Sequence, residues 1–210
     1  MDVTHFENRR WTTDTQKVEF RHRAALELIE NGTVLDVGCG DGLLLSLLKE
    51  KGVTAEGIDI SEEAVKRCVE RGFTARTYDP NAPFPFPDDA FDTVVMLDVL
   101  EHVYAPEELL REAKRVARTH VIVGVPNFSS LPARLQVLGG SVPENNLPLK
   151  GHVYWFNYQV LSDLARECGL AISTLKTNTF SPFSTIWPGA PASFPNLLAL
   201  SFVIKLESES

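Results

Sequence analysis

Apolar residues occur along this chain in short runs, and the runs alternate with amphipathic segments of helical period. The strand-like runs lie at about 34–37, 56–60, 73–78, 91–97 and 121–125. Helical periodicity covers about 15–30, 43–50, 61–71, 107–118 and 158–168. Strands that alternate with helices predict a parallel, doubly wound sheet with helices on both faces. Two later segments, near 171–180 and 198–207, would complete seven strands.

We therefore predict one domain over 1–210, an α/β, three-layer Rossmann-like sandwich around a seven-stranded, mostly parallel sheet. An N-terminal helix at about 12–31 would lead into it, with one apolar face formed by Val18, Ala24, Ala25, Leu28 and Ile29. Residues 127–157 interrupt the alternation and form an insertion. An insertion of this length after a strand's carboxyl end is typical of a lid or a binding surface. Irregular packing or an oligomer contact is the alternative.

Composition narrows the class of protein. The apolar fraction of 44% and the charged fraction of 23% are those of a soluble globular protein. The net charge of −8 disfavours nucleic acid as a partner, and the longest late apolar run is too short to span a membrane. The first 11 residues lack the apolar core of a signal peptide. Cys39, Cys68 and Cys168 are odd in number and lack metal-ligand spacing, so we expect reduced thiols and a cytoplasmic location.

Three glycines at alternate positions, Gly38, Gly40 and Gly42, connect the first predicted strand to the helix after it. A sharp strand-to-helix turn needs residues without a Cβ where the backbone turns or a ligand approaches. The dinucleotide fingerprint would need glycine or alanine at position 43, where the chain has Leu43. This departure disfavours a nicotinamide or nucleotide-sugar enzyme. A tight turn without any ligand is the other alternative.

Two acidic residues indicate which ligand the loop would bind. Asp36 lies two positions before Gly38, where a carboxylate would repel a pyrophosphate but suit an ammonium group. Asp59 ends the next strand, 23 positions after Asp36, and suits the hydroxyls of a ribose. A ribose together with an amino-acid ammonium group indicates S-adenosylmethionine.

The E/D-x-G-x-G-x-G loop, followed by the strand end Gly57 to Ser61 (GIDIS), resembles the class I S-adenosylmethionine-dependent methyltransferases. Asp79 occupies the position at which such enzymes carry a carboxylate that faces the adenine amino group, although Pro80 is an unusual neighbour. Leu97 and Asp98 would lie beside the methionine half of the cofactor. The resemblance implies a cofactor site formed by Asp36, Gly38, Cys39, Gly40, Gly42, Asp59, Ile60, Asp79, Leu97 and Asp98.

Asp98, Glu101 and His102 follow the fourth predicted strand at helical spacing i, i+3 and i+4. On one helical face they would hold a divalent cation such as Mg²⁺, with His152 as a fourth ligand. The pattern is similar to the E-x-x-E-H sites of some ubiquinone-pathway O-methyltransferases and small-RNA methyltransferases, with Asp98 replacing the first Glu. Alternatively, His102 fastens the strand end to the next helix. His102 and His152 are also our candidate catalytic bases.

A narrower resemblance covers about residues 33–175. The stretches Val125 to Phe128 (VPNF), Arg134 to Gly140 (RLQVLGG) and His152 to Phe156 (HVYWF) are similar to the MetW family of methionine biosynthesis. The chain departs from that family at Glu101, where Gln is usual before the histidine. The resemblance implies a subunit that binds S-adenosylmethionine, associates with homoserine O-acetyltransferase and transfers no methyl group.

Methyl transfer to the oxygen or nitrogen of a small-molecule acceptor is our first expectation, and the MetW-like accessory subunit is the alternative. The departure at Glu101 and the long aromatic tail favour an enzyme. A protein partner or a homodimer is compatible with both.

Overall fold

One seven-stranded sheet, in the order β3-β2-β1-β4-β5-β7-β6, forms the centre of the protein. The computed structural model describes residues 17–79, 82–147, 150–180, 187 and 189–209. Its strands are β1 (Thr33–Val37), β2 (Thr54–Asp59), β3 (Ala75–Thr77), β4 (Phe91–Leu97), β5 (Ala117–Pro126), β6 (Leu170–Asn178) and β7 (Ser201–Ser208). Its α-helices are α1 (Phe20–Leu28), α2 (Leu43–Glu50), α3 (Glu62–Glu70), α4 (Pro106–Val116), α5 (Leu131–Leu138), α6 (Tyr158–Glu167), α7 (Ala190–Ser193) and α8 (Pro195–Leu198).

Strands β1 to β5 pair in parallel, whereas β7 runs antiparallel to both β5 and β6. The predicted seven-stranded, mostly parallel sheet is therefore confirmed, and β7 is the strand that makes it mixed. In the parallel register Val37 of β1 lies beside Ile58 of β2 and Met96 of β4. The carboxyl ends of these strands consequently share one edge of the sheet, where ligands bind in open α/β folds.

The central strands are buried on both faces, which explains their continuous apolar sequences. In β4, Val94 and Met96 belong to a cluster on one face, whereas Val95 belongs to a second cluster on the other. Helix α4 covers the first face with the predicted stripe of Leu109, Leu110, Ala113 and Val116. Helices α1 and α2 cover the second face, which gives the three layers.

The N-terminal helix α1 is shorter than the predicted 12–31. Residues 12–16 lie outside the described part of the chain, and Val18 precedes the helix and is 41% exposed. The helix begins after Glu19, whose side chain and that of His22 form a reciprocal capping box. The other predicted apolar residues are buried as expected: Ala24, Ala25, Leu28 and Ile29.

His22 makes stability depend on pH. Its ring is buried, its Nδ1 accepts a hydrogen bond from the Glu19 amide at 3.1 Å, and burial, reinforced by Arg21 and opposed by Glu19, lowers its pKa to about 4. Because the unfolded pKa is higher, protonation favours the unfolded chain. The free energy of unfolding should therefore fall by about 3 kcal/mol as the pH drops from about 6.5 to 4. Urea unfolding at several pH values measures this, and His22→Gln should lack that part of the pH dependence. An unchanged pH dependence in His22→Gln would contradict the assignment.

Candidate functional site

The glycine loop between β1 and α2 adopts a backbone that favours glycine. Gly38, Gly40 and Gly42 have φ angles of +75°, +55° and +84°, in the left-handed region. A Cβ on Gly38 would lie 2.5 Å from Val99 Cγ2, and one on Gly42 would lie 2.8 Å from Cys68 Sγ. The sequence argument that the loop needs residues without side chains therefore has a structural basis at each end of the loop.

Asp59 fixes this loop to the end of β2. One carboxylate oxygen accepts the Gly40 amide at 2.9 Å, and the other accepts the Ser61 amide at 2.8 Å. The side chain is buried, and the half-buried Ile60 follows it at the same edge. The residue assigned to the ribose hydroxyls thus also holds the amide of the middle glycine in place.

Asp36 lies inside β1, beside Gly57 of β2 and Val95 of β4. Burial raises the pKa of its carboxyl group well above the usual range, and the neighbouring Cys68 and Asp59 raise it further. These surroundings favour the neutral acid. A cationic group placed beside Asp36 would lower that pKa again, since opposite charge favours the carboxylate.

Three other predicted cofactor residues follow β3 and β4. Asp79 is exposed and comes two residues after Thr77, which pairs with Asp59 in the sheet. Leu97 ends β4, and Asp98 follows it with a φ of +55°. The Asp98 amide donates to the Gly124 carbonyl at 2.9 Å, and its carboxylate pairs with Arg21 of α1 at 3.0 Å. The residues predicted for the cofactor thus come from the carboxyl ends of β1 to β4.

A cavity of about 1080 Å³ lies next to this edge, at the carboxyl ends of β4 and β5. Its wall is polar and apolar in nearly equal parts and carries both signs of charge. Arg21 and Asp98 contribute to it, as do side chains from the insertion. The remaining residues that bear on its chemistry are Glu101, His102, Lys150 and His152.

Glu101, His102 and His152 form a cluster on the cavity wall. Their potential ligand atoms all lie within 4.8 Å of one another, and the two imidazole centroids are 4.8 Å apart. Glu101 is fully buried and is part of a 3₁₀ helix, Leu100–His102, where an α-helical turn was predicted. Because Asp98 lies before this helix with left-handed backbone and pairs with Arg21, it is not in the metal-ligand group found among the described residues.

Backbone carbonyls orient both imidazoles. His152 Nδ1 lies 2.8 Å from the Asn145 carbonyl oxygen, and His102 Nδ1 lies 3.3 Å from that of Gly151. A carbonyl oxygen only accepts, so each Nδ1 carries the proton when it makes this bond, and Nε2 keeps its lone pair. Phe128 packs edge-on against His152, with ring centroids 5.4 Å apart. The two rings are thus arranged to offer Nε2 to a proton or to a metal ion.

The family described as "Methionine biosynthesis protein MetW" matches residues 20–165, which is most of the chain. The match begins in α1, ends in α6 and includes the glycine loop, Asp59 and the histidine cluster. The chain belongs to the MetW family of class I S-adenosylmethionine-dependent methyltransferases. The resemblance stated from the sequence is confirmed, and it extends to the N-terminal helix.

Two similar proteins carry different names. The "Ubiquinone biosynthesis O-methyltransferase" of Thiobacillus denitrificans is 30% identical over 169 residues, 73% of this chain and 71% of the relative. The "Bifunctional methionine biosynthesis protein MetXA/MetW" of Rhodopirellula baltica is 36% identical over 115 residues, 50% of this chain but 18% of that protein. A SAM-dependent methyltransferase from Thermotoga maritima superposes with a TM-score of 0.68 at 20% identity, covering 90% of this chain and 88% of the other.

The two ends of the insertion in this MetW-family chain lie next to each other. The Phe128 amide donates to the Phe156 carbonyl at 2.9 Å, which closes its base. Between these residues lie α5 and a 3₁₀ helix, Glu144–Asn146. The amides of Val153 and Tyr154 donate to the Glu101 carbonyl at 2.8 and 3.1 Å. The insertion is therefore attached to the histidine cluster through the backbone as well as through His152.

Asn127 and Arg21 have structural roles that the sequence analysis missed. Asn127 is fully buried, and its side-chain Nδ2 donates to the carbonyls of Ala199, Pro195 and Asn196 at 2.7 to 3.3 Å. It thereby fixes the start of the insertion to the segment before β7. The one sequence signal was its position directly after a buried strand. Arg21 gave no signal, because its partner Asp98 is distant in the sequence.

No helix within the described residues is both long enough and apolar enough to cross a membrane.

Proposed function

We propose that the protein transfers the methyl group of S-adenosylmethionine to an oxygen or nitrogen atom of a small acceptor bound in the 1080 Å³ cavity. One observation carries this proposal. The glycine loop held by Asp59 and the cavity with two oriented imidazoles lie at the same carboxyl edge of the sheet. A cofactor in the loop and an acceptor in the cavity would be neighbours.

Most of the catalytic contribution would be positioning. Methyl transfer from a sulfonium is an in-line displacement on an activated donor, so alignment of the reactants and exclusion of water supply much of the rate. In this proposal Asp59 binds the ribose hydroxyls, Asp79 the adenine amino group, and Asp36 and Asp98 the methionine half. The loop Gly38 to Gly42 admits the ligand close to its backbone.

An acceptor that is protonated at working pH needs a base to remove its proton. The Nε2 atoms of His102 and His152 are suited to this, because both Nδ1 atoms face backbone carbonyls. We assign the two histidines to the acceptor and the glycine loop to the cofactor.

The histidine cluster also fits a divalent cation. Glu101, His102 and His152 offer one carboxylate and two imidazoles within 4.8 Å of one another. This donor set suits Zn²⁺ or Mn²⁺ better than Mg²⁺, which prefers oxygen ligands. A bound ion would supply Lewis-acid polarisation of an acceptor oxygen. Of the four ligands expected from the sequence, this group contains Glu101, His102 and His152 and lacks Asp98.

A methylation assay tests the main proposal. The protein is incubated with methyl-labelled S-adenosylmethionine and a panel of phenols, amines and carboxylates, and labelled product is separated from donor. Transfer to one chemical class is expected, and the Gly40→Val variant should show none. Tight binding of S-adenosylhomocysteine without transfer to any class would contradict the enzyme and favour the alternative below.

The alternative is an accessory subunit that binds S-adenosylmethionine and associates with homoserine O-acetyltransferase. The family match over 20–165 and the fused MetXA/MetW relative support it. Helix α5 adds a structural observation, because it exposes Leu135, Val137 and Leu138 at 58%, 60% and 83%. Exposed apolar side chains so close together favour a partner surface. Copurification of the acetyltransferase with this chain from the native host, lost on Leu138→Glu, is the expected result for this function.

The insertion, residues 127–157, should behave as a lid. We expect faster amide exchange there than in the sheet without ligand, and slower exchange with S-adenosylhomocysteine and an acceptor, because closure excludes water from the methyl group. Hydrogen exchange followed by mass spectrometry measures both states, with β4 peptides as the internal control. Equal protection of the insertion in both states would remove the lid and leave a partner surface.

The cysteines support a proposal for the cellular compartment. Cys39, Cys68 and Cys168 are free thiols, and all three are buried. Free, buried thiols are typical of proteins in reducing compartments. We therefore propose a cytoplasmic location.

A further inference from the structure

One buried cysteine lies in the glycine loop, and a second lies against it. Cys39 is within the loop, between Gly38 and Gly40, and Cys68 is on the inner face of α3. With Leu45 they form a small apolar cluster separate from the main core. Their exposed fractions are 2% and 0%. Both sulfur atoms thus lie inside this small cluster, and the Cys39 thiol donates to the Gly40 carbonyl at 3.8 Å. The proposed function uses neither sulfur atom.

The loop is packed closely onto these sulfur atoms. A Cβ on Gly42 would lie 2.8 Å from Cys68 Sγ, and a Cβ on Gly57 would lie 2.6 Å from Cys39 Sγ. The backbone on either side of Cys39 is held by hydrogen bonds from the Gly38 amide to Ile58 and from the Gly40 amide to Asp59. Movement of Cys39 would therefore move the amides that define the loop.

The two thiols differ in acidity. The neighbouring Cys39 thiol lowers the pKa of Cys68, and Arg71 lowers it further, against the opposing effects of burial, Asp41 and Asp59. The neighbouring Cys68 thiol, together with burial, raises the pKa of Cys39. Cys68 therefore forms the thiolate first, and the thiolate is the nucleophile in thiol oxidation.

We infer that peroxide joins Cys39 and Cys68 in a disulfide that distorts the glycine loop and releases S-adenosylmethionine. The inference rests on the proposed cofactor site. The Cys68 thiolate attacks one peroxide oxygen, so that an S–O bond forms, the O–O bond breaks and the other oxygen leaves as water. The Cys39 sulfur then attacks the Cys68 sulfenic sulfur. Its thiol proton leaves with the hydroxyl as a second water, and two thiols have been oxidised by two electrons.

The disulfide bond is what would disturb the loop. An S–S bond of about 2.05 Å is much shorter than any non-bonded contact between two packed sulfur atoms, so one cysteine must move by more than about 1 Å. Cys68 lies on a helix whose inner face is packed, whereas Cys39 lies between two glycines with freer backbones. The loop would move, and the Gly40 amide would leave the Asp59 carboxylate.

Intact-mass spectrometry and calorimetry test the inference on the full chain. After treatment with hydrogen peroxide, the wild type should lose the mass of two hydrogen atoms, and a tryptic digest should contain Cys39 linked to Cys68. Its affinity for S-adenosylhomocysteine should fall at least about tenfold, and dithiothreitol should restore it. Bound S-adenosylhomocysteine should slow the mass change, because it holds the loop in place.

Two variants separate this pair from general oxidation. Cys168→Ala keeps the pair and should respond as the wild type does, whereas Cys68→Ala should keep its affinity in peroxide. Cys68→Ser takes its place if alanine leaves the reduced protein unable to bind. An unlinked Cys39, unchanged affinity after linkage, or equal loss in the Cys68 variant would each overturn the inference. Failure of the reduced wild type to bind S-adenosylhomocysteine would instead overturn the cofactor site itself.

Discussion

Replacing Asp59 with alanine should weaken binding of S-adenosylhomocysteine by about 2–3 kcal/mol, roughly 30- to 150-fold. Two effects combine in this loss. The ribose hydroxyls lose their acceptor, and the Gly40 and Ser61 amides lose the carboxylate that holds them at 2.9 and 2.8 Å. Calorimetry with S-adenosylhomocysteine measures the change. Asp59→Asn, which keeps one acceptor oxygen, should lose less.

Asp92 provides a matched control for Asp59. Its carboxylate also accepts a backbone amide, that of Thr33 at 2.8 Å, but it does so at the opposite edge of the sheet. Asp92→Ala should lower stability and leave affinity for S-adenosylhomocysteine unchanged. Gly40→Val should abolish binding and leave the fold largely intact, because a branched side chain would enter the ligand's space and disfavour φ of +55°. Wild-type affinity in Asp59→Ala would show that the ribose assignment is wrong.

Replacing His102 or His152 with alanine should lower the turnover number by about 100- to 10,000-fold, the usual contribution of a general base or a metal-bound acceptor. Affinity for S-adenosylhomocysteine should stay within about threefold of the wild type, because neither ring belongs to the glycine loop. Single-turnover methyl transfer and calorimetry, run on the same preparations, measure the two quantities separately.

Chelation distinguishes the base from the metal. If a cation acts, a chelator should abolish transfer, Mn²⁺ or Zn²⁺ should restore it, and Glu101→Gln and His152→Ala should lose metal affinity in calorimetry. Asp98→Asn should keep metal affinity, since Asp98 pairs with Arg21. Unchanged activity in the chelator would exclude the cation and leave the imidazoles as bases. If His102 only fastens β4 to the next helix, His102→Ala should lower thermal stability without a specific loss of turnover.

The sheet and the cofactor loop could be predicted because their signals are local. Apolar runs such as Val94 to Met96 and the glycines at alternate positions each lie within a few residues. The position of β7 had no such signal, since antiparallel insertion between β5 and β6 depends on long-range pairing. The start of α1 was also missed, because the Glu19–His22 capping box was not recognised.

The acceptor side of the site was harder to predict than the cofactor side. Helical spacing grouped Asp98 with Glu101 and His102, but the left-handed backbone at Asp98 directs the chain differently. His152, expected as a fourth ligand, lies near Glu101 although it comes from the far end of the insertion, and no spacing rule connects residues so distant in the sequence. The contact between Cys39 and Cys68 depends on α3 packing under the loop, so their spacing gave no indication of it.

The backbone hydrogen bond between Phe128 and Phe156 makes the insertion tolerant of changes in length and sequence. Because the two stems meet, the intervening stretch can lengthen, shorten or be exchanged at a small cost in loop-closure entropy, without altering the register of the sheet. The hydrogen bond from Asn127 to the Ala199 carbonyl fixes the start of the insertion and does not depend on the residues that follow. Exchange of residues 129–144 leaves Asn145 and His152 in place, so grafting that stretch between related scaffolds offers a route to new acceptor selectivity with the same methyl donor.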